Sequence, residues 1–192
     1  MSIETGSFGQ EYVSAGPLSR ESILGTALRM ADQHGIGALS MRKLAAELSV
    51  KAMSLYNRVA GKLHILDGIT DLVVAEIAVP DPEGDWKQAM RRRAHSAREA
   101  LLRHPWVTME LVSRVNIGPA MLRYVDATLG CLLNAGFSLE TADHAWNAVD
   151  SHIYGFTLQE LNFPFEAGEY RDVAREYLPQ LPLEKYPHLA RM

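Results

Sequence analysis

The sequence has one cysteine, Cys131, among 192 residues, and it has no apolar run long enough to cross a membrane. A single cysteine excludes an internal disulfide and any zinc or iron–sulfur site built from several cysteines. A bilayer span needs about 18 apolar residues, whereas the most apolar stretch, residues 72–79, is interrupted by Glu76. Because the start also lacks a basic region followed by an apolar one, no signal peptide is predicted and a cytoplasmic location is favoured.

Residues that favour strands are also scarce. Leu and Ala far outnumber Val and Ile, and no segment between turn signals alternates strictly between apolar and polar residues. The composition therefore predicts an all-α fold. With 47% hydrophobic and 22% charged residues the chain is typical of globular proteins, and its length allows one large or two small domains.

Positive charge is sparse overall but locally concentrated. The net charge is −4, which argues weakly against nucleic-acid binding. Between residues 40 and 62, however, the basic residues outnumber a single acid, Glu47. These basic residues are Arg42, Lys43, Lys51, Arg58 and Lys62. Such a local excess suits a small polyanion-binding face, although a solvated charged surface gives the same pattern.

Capping signals and helical spacing organise the N-terminal part of the chain. Residues 1–18 show no period and are predicted to form a flexible arm before the N-cap Ser19. A first helix follows and ends at Gly35. A helix of barely two turns starts after Ser40, a turn covers residues 49–51, and a second short helix is predicted over residues 52–58.

A connecting helix is predicted from Lys62 to Ala78, with Leu63 among its inward-facing residues. Residues 80–84, PDPEG, form the clearest linker. We therefore predict a first domain over residues 19–66, with the connecting helix reaching about 79, and a second domain over residues 85–192.

The second domain is predicted to contain five helices. Their expected positions are residues 85–103, 106–114, from Pro119 to Gly136, 138–161 and 168–178. The first is basic on one side, and the predicted basic residues are Arg91, Arg92, Arg93 and Arg98. The apolar stripes of the later helices include Leu122, Leu133 and Phe156.

Two short helices joined by a tight turn and preceded by a packing helix indicate a helix-turn-helix. The second short helix must enter the DNA major groove, so its exposed face must lack bulky apolar residues. Leu55 and Val59 are predicted to lie in the core. The exposed face instead carries small or polar residues, namely Lys51, Ala52, Ser54 and Asn57.

Residues 40–45, SMRKLA, and 53–62, MSLYNRVAGK, resemble the DNA-binding domain of the TetR family of transcriptional regulators. The resemblance covers residues 20–66 and rests on the spacing of the Leu-Tyr pair, the following Val and the final Lys. It implies a three-helix domain that reads the major groove. One position departs from the family: Ser49 stands where glycine is usual, and a left-handed turn costs serine more than glycine.

The resemblance also implies roles by position. Arg42 would reach a base edge or a phosphate, and Met53 would touch a thymine methyl group. Tyr56 would hold a phosphate or serve as a core aromatic. The predicted DNA-binding residues are Ser40, Arg42, Lys43, Lys51, Ala52, Met53, Ser54, Tyr56, Asn57, Arg58 and Lys62.

Residues 101–104 and 135–140 are similar, more loosely, to the ligand domain of the tetracycline-repressor branch of the family. This implies a ligand-binding and homodimerisation domain in which residues 138–161 and 168–178 pair with those of a second subunit. The predicted effector-binding residues are His104, Met109, Trp146, Asp150, His152 and Phe156. Because no carboxylate partner for the histidines can be placed, we expect a small hydrophobic or aromatic effector rather than tetracycline, and no metal or other cofactor.

The sequence therefore predicts a homodimeric repressor that binds double-stranded DNA at an inverted-repeat operator and is released by a small molecule. A helix-turn-helix protein without effector response is one alternative. An enzyme is the other, suggested by Asp150, Ser151 and His152. Consecutive helical residues point in different directions, however, so these three cannot form a catalytic triad by themselves.

Overall fold

The computed structural model describes residues 18–164 and 168–191, and every regular element in these ranges is helical. The predicted all-α fold is confirmed. Within the described residues no helix is long and apolar enough to span a membrane. Residues 1–17 of the predicted N-terminal arm lie outside the described part.

Three helices form the N-terminal head: α1 (Arg20–His34), α2 (Met41–Glu47) and α3 (Ala52–Tyr56). Ser19 caps α1 by accepting a hydrogen bond from the backbone N–H of Ser22, as its position before the helix predicts. Gly35, with φ of 74°, ends this helix. The predicted second short helix is shorter than expected, because residues 57 and 58 already belong to the following turn.

The head is held together by apolar side chains at the expected helical spacing. Ile23 of α1, Leu44 of α2 and Leu55 of α3 are completely buried in one cluster. Val59 also lies in this cluster. Leu55 and Val59, both predicted to lie in the core rather than to contact DNA, are therefore buried. Burying each aliphatic side chain contributes about 1.5–3 kcal/mol, which fixes α3 against the rest of the head.

Helix α4 (Lys62–Val74) connects the head to the remainder of the chain. It packs on α1, where Gly68 lies so close to Leu24 that a Cβ atom would sit 2.7 Å from Leu24 Cδ2. Two predictions are corrected here. The helix ends in a turn after Val74 rather than at residue 78. Leu63, predicted to face inward, is 67% exposed, because the buried apolar side begins at Ile65 and Leu66.

Four helices form the C-terminal body: α5 (Trp86–Arg103), α6 (Val107–Ser113), α7 (Pro119–Asn134) and α8 (Leu139–Leu161). Helices α5, α7 and α8 pack against one another. The helix ends agree with the predicted boundaries. Asp85 caps α5 and Ser138 caps α8, each by accepting a backbone hydrogen bond, while Pro119 opens α7 and Gly136 follows its end with a positive φ.

Three residues assigned to apolar stripes are exposed: Leu122 and Leu133 on α7 and Phe156 on α8. These predictions were wrong because apolar residues occupy more than one face of both helices, and spacing alone does not choose the buried face. The chain continues with α9 (Tyr170–Tyr177), shorter than the predicted 168–178, and with three 3-10 turns. They are Leu178–Gln180, Leu183–Lys185 and Leu189–Arg191.

Candidate DNA interface and buried polar clusters

The turn between α2 and α3 has a left-handed backbone at Ser49, the position where glycine is usual in the family. Ser49 has φ of 54°, and its N–H donates to the carbonyl of Ala46 over 3.0 Å. A left-handed residue other than glycine costs about 1–2 kcal/mol. The packed cores of α2 and α3 offset this cost and hold α3 in a fixed orientation.

Helix α3 presents a mainly polar surface. Met53 is 73% exposed and Tyr56 is 50% exposed, while Lys51 and Asn57 are also exposed. Ala52 and Ser54, the other two residues predicted to face bases or solvent, are half-buried. The half-exposed Tyr56 is therefore not a simple core aromatic.

Exposed cations lie on both sides of this helix in sequence and on α2, which packs against it. Ser40 caps α2 by accepting from the backbone N–H of Lys43 over 3.2 Å. Among the described residues, none of these cations forms an ion pair. We refer to them as the reading cations: Arg42, Lys43, Lys51, Arg58 and Lys62. Exposed cations without carboxylate partners are available to neutralise phosphates.

A carboxylate, Asp150 of α8, lies at the centre of a buried polar cluster in the body. Arg93 Nη1 donates to its Oδ1 over 2.7 Å, and the hydroxyl of Tyr124 donates to the same oxygen over 3.3 Å. Trp146 Nε1 and the hydroxyl of Tyr154 donate to Oδ2 over 2.7 and 3.4 Å. Both oxygens of the carboxylate are therefore satisfied. We call these five residues the Asp150 cluster.

Arg93 is the residue of this cluster that the sequence interpretation placed incorrectly. It was grouped with Arg91, Arg92 and Arg98 on the basic side of α5, but unlike the exposed Arg91 and Arg92 its exposure is 0%. Its Nη1 also donates to the hydroxyl of Tyr124, whereas Nε and Nη2 have no hydrogen-bond partner. A helical pattern could have located it, because Ala89, Ala97 and Ala100 are buried at the same spacing along α5.

Burial controls the protonation of the two tyrosines. Desolvation, and then the negative charge of Asp150, raise the pKa of Tyr124 and of Tyr154 well above the ordinary value. A tyrosine is already protonated near neutral pH, and the raised pKa extends protonation of both hydroxyls further into alkaline solution, so they continue to donate to Asp150.

His104 lies in a different place, where the head meets the body. Its Nδ1 is 2.7 Å from Asp32 of α1, and its Nε2 is 3.2 Å from Glu76, which follows α4. Trp106 Nε1 donates to the same Asp32 oxygen over 2.8 Å. Glu76 also pairs with Arg103 over 2.5 Å. Both ring nitrogens of His104 are thus occupied by residues of the chain.

The remaining predicted effector residues lie apart from these two groups. Met109 is exposed on α6. The rings of His152 and Phe156 are 6.0 Å apart and line a groove of about 220 Å³ between α5 and α8. The structure thus brings together Trp146 and Asp150, and separately His152 and Phe156, but not all six residues. The assignment of each to effector binding stays a prediction.

The described residues contain no group of three or more His, Cys, Asp or Glu side chains positioned to hold a metal ion.

A helix-turn-helix head joined to a helical body defines a class of DNA-binding regulators, and sequence comparison specifies the family. Residues 79–192 match the family described as "Tetracyclin repressor-like, C-terminal domain". The chain is 30% identical over 150 residues to the tetracycline repressor protein class E of Escherichia coli, covering 74% of this chain and 69% of that protein. The chain belongs to the TetR family.

Two further relatives come from Streptomyces. The HTH-type transcriptional repressor DrrR1 of Streptomyces coeruleorubidus is 31% identical over 153 residues, which is 77% of this chain. The chain spans only 57% of the length of that repressor. The structure of apo ActR from Streptomyces coelicolor matches with a TM-score of 0.81 at 31% identity, covering 93% of this chain and 84% of ActR.

Proposed function

We propose that this protein is a homodimeric transcriptional repressor that binds an inverted-repeat DNA operator and releases it when a small molecule binds the body. The observation that carries the proposal is the exposure of the reading cations, none of them in an ion pair within the described residues, on and beside the helix-turn-helix. Phosphate contacts from these cations would set the register of the head on DNA. Met53 and neighbouring residues would then face the bases.

The relatives support the same activity. DrrR1 and the class E tetracycline repressor are both named as repressors. ActR has been solved in complex with actinorhodin, so a small molecule binds a protein of similar structure. For this chain we place the effector in the body and the dimer contact on α8 and α9, with the DNA-binding domain at residues 19–66 and the ligand domain at 85–192.

Helix α4 supplies a route from the body to the head. Arg114, in the loop after α6, pairs with Asp67 of α4 over 2.5 Å. Asp71 of α4 accepts from the backbone N–H groups of Ala120 and Met121 at the start of α7, over 3.2 and 3.0 Å. A ligand that displaces α6 or α7 would therefore move α4, and the two heads of a dimer would no longer match the half-site spacing.

Regulation rather than catalysis is also the function that the residues favour. Asp150 accepts from four donors, while Ser151 and His152 are exposed, so these three do not form a hydrogen-bonded triad. A DNA-binding regulator acts on the chromosome, which would place the protein in the cytoplasm.

The experiment is fluorescence anisotropy with labelled DNA from the upstream intergenic region of the gene for this protein. Excess random DNA serves as competitor, and the measurement is made without any effector. We expect binding that survives the competitor, because a specific site is typically bound about 10³–10⁷ times more tightly than random DNA. A folded dimer that binds no DNA even at low salt would contradict the proposal.

A further inference from the structure

His104 contacts two carboxylates that belong to different parts of the fold. Its Nδ1 lies 2.7 Å from Asp32 Oδ1 of α1, and its Nε2 lies 3.2 Å from Glu76 Oε1 in the turn after α4. The residue itself ends α5, where its backbone N–H donates to the carbonyl of Ala100 over 3.0 Å. One side chain of the body therefore contacts the head and the end of the connecting helix at the same time.

Only a protonated imidazole can donate to both carboxylates. An ionised carboxylate accepts hydrogen bonds but donates none, and a neutral imidazole carries hydrogen on one of its two nitrogens. Imidazolium carries hydrogen on both, so it alone makes the two contacts of His104 as hydrogen bonds. In either neutral tautomer a bare ring nitrogen would face a carboxylate oxygen, and that contact would be repulsive.

The surroundings of the ring also favour a positive charge. The carbonyl groups at the C-terminal end of α5 carry partial negative charge, which stabilises a cation at this position. The charged groups at the junction are Asp32 from α1, Glu76 from the turn after α4 and Arg103 from α5, whose Nη2 is 2.5 Å from Glu76 Oε2. With imidazolium these four side chains are neutral as a group, whereas a neutral ring leaves one excess negative charge at a site where His104 is only 8% exposed.

The two carboxylates differ in what remains when the ring is neutral. Asp32 Oδ1 also accepts from Trp106 Nε1 over 2.8 Å, and it makes the shorter contact to His104. The remaining ring hydrogen is therefore expected on Nδ1. Glu76 Oε1 has no other side-chain partner among the described residues, so it would face the bare Nε2 and be repelled.

We infer that His104 is a pH-sensitive latch at the junction of head and body. When protonated, it holds α1 and the turn after α4 on the end of α5; when neutral, it loses Glu76. Histidine changes charge between about pH 5 and 8, while carboxylates are ionised above about pH 6. The stabilisation is thus present at the acidic end of this range and lost as the pH rises. The inference concerns the fold and does not depend on operator binding.

The first measurement is thermal unfolding of the full chain without DNA, at about pH 6 and about pH 9. His104→Gln keeps one donor and one acceptor but has no charge at either pH, so it resembles the neutral ring. His144→Gln is the matched control, because His144 is exposed on α8. Glu76→Gln is a second variant, in which the amide can accept from Nε2–H or donate to the bare nitrogen and so removes the pH sensitivity.

We expect the wild type to unfold about 2–4 °C above His104→Gln at the lower pH, as one extra hydrogen bond in a chain of this size requires. At the higher pH this difference should disappear. The difference between the wild type and Glu76→Gln should narrow by the same amount, while His144→Gln should follow the wild type at both values. A difference that is equal at both pH values, or a His144→Gln variant that behaves like His104→Gln, would overturn the latch.

The second measurement reports on the junction itself. The indole Nε1–H resonance of Trp106, assigned in ¹⁵N-labelled protein with Trp106→Phe, lies on the Asp32 oxygen that His104 contacts. Trp86, at the opposite end of α5, and Trp146 are internal controls. We expect the Trp106 resonance to move between the two pH values in the wild type but not in His104→Gln. A Trp106 resonance that stays in place, or that moves equally in both proteins, would leave His104 as a structural contact without pH sensitivity.

Discussion

The cations of the head and the arginines of the body differ in their neighbours. The five reading cations around α3 are exposed, and none of them forms an ion pair within the described residues. In the body, four arginines each pair with a carboxylate, and we call them the packing arginines. They are Arg93, Arg98, Arg103 and Arg114.

This difference separates two uses of positive charge. A packing arginine stabilises contacts between helices, so its removal is expected to change stability more than DNA binding. A reading cation is exposed and has no ion-pair partner among the described residues, so its removal should barely change stability but should weaken binding to a polyanion. The net charge of −4 conceals this division, because it adds the cations of the head to all the acidic residues of the chain, including those that pair with the packing arginines.

The largest expected effect comes from breaking the buried pair. Asp150→Ala leaves the completely buried Arg93 without its counter-charge and should lower the free energy of unfolding by about 3–5 kcal/mol. Glu160→Ala is the matched control, because it also removes an α8 partner of an α5 arginine, Arg98. The Arg98 and Glu160 side chains are 38% and 37% exposed, so this loss should stay below about 1 kcal/mol. Urea unfolding measures both, and equal losses would contradict the distinction between the two pairs.

A smaller loss of stability is expected from disturbing Asp71, the α4 carboxylate that accepts hydrogen bonds from the start of α7. In Gly118→Ala the added Cβ would lie 2.2 Å from Asp71 Oδ1, so Asp71 must move and its hydrogen bonds to the start of α7 are lost. Loss of such a cap costs about 1 kcal/mol. Gly130→Ala, on the same helix with its nearest neighbour 3.9 Å away, should instead stabilise slightly.

Thermal unfolding of both glycine variants tests this contact. If Gly118→Ala is as stable as Gly130→Ala, Asp71 does not contribute to the joint between α4 and α7, and the proposed route from the body to the head loses its main contact.

The head was predicted well because its signals are local. Ser19, Gly35 and Ser40 mark helix ends within a few residues, and the spacing of Leu44 and Leu55 identifies the buried sides. The fold of the body was also predicted from local caps. In contrast, Leu63 was misplaced because apolar residues lie on more than one side of α4.

The Asp150 cluster could be predicted only in part. Trp146 and Asp150 are four residues apart on one helix, and helical geometry alone brings them together. Arg93 and Tyr124 reach Asp150 across 57 and 26 residues of sequence, so their contacts depend on how three helices pack. His104 was assigned to the effector site by its sequence context, but its neighbours Asp32 and Glu76 lie 72 and 28 residues away in sequence and were missed.

The most direct test of the distinction between the two regions is the salt dependence of operator binding. The logarithm of the association constant falls with the logarithm of salt concentration, and each phosphate contact contributes about −0.9 to that slope. Arg58→Ala with Lys62→Ala removes four contacts from the proposed dimer, so the magnitude of the slope should decrease by about 3.6 with little change in stability. Arg92→Ala with Arg123→Ala removes the same charge from exposed positions on the body and should leave the slope unchanged. An equal decrease in both double variants, or no decrease in the first, would contradict the assignment of the reading cations to DNA.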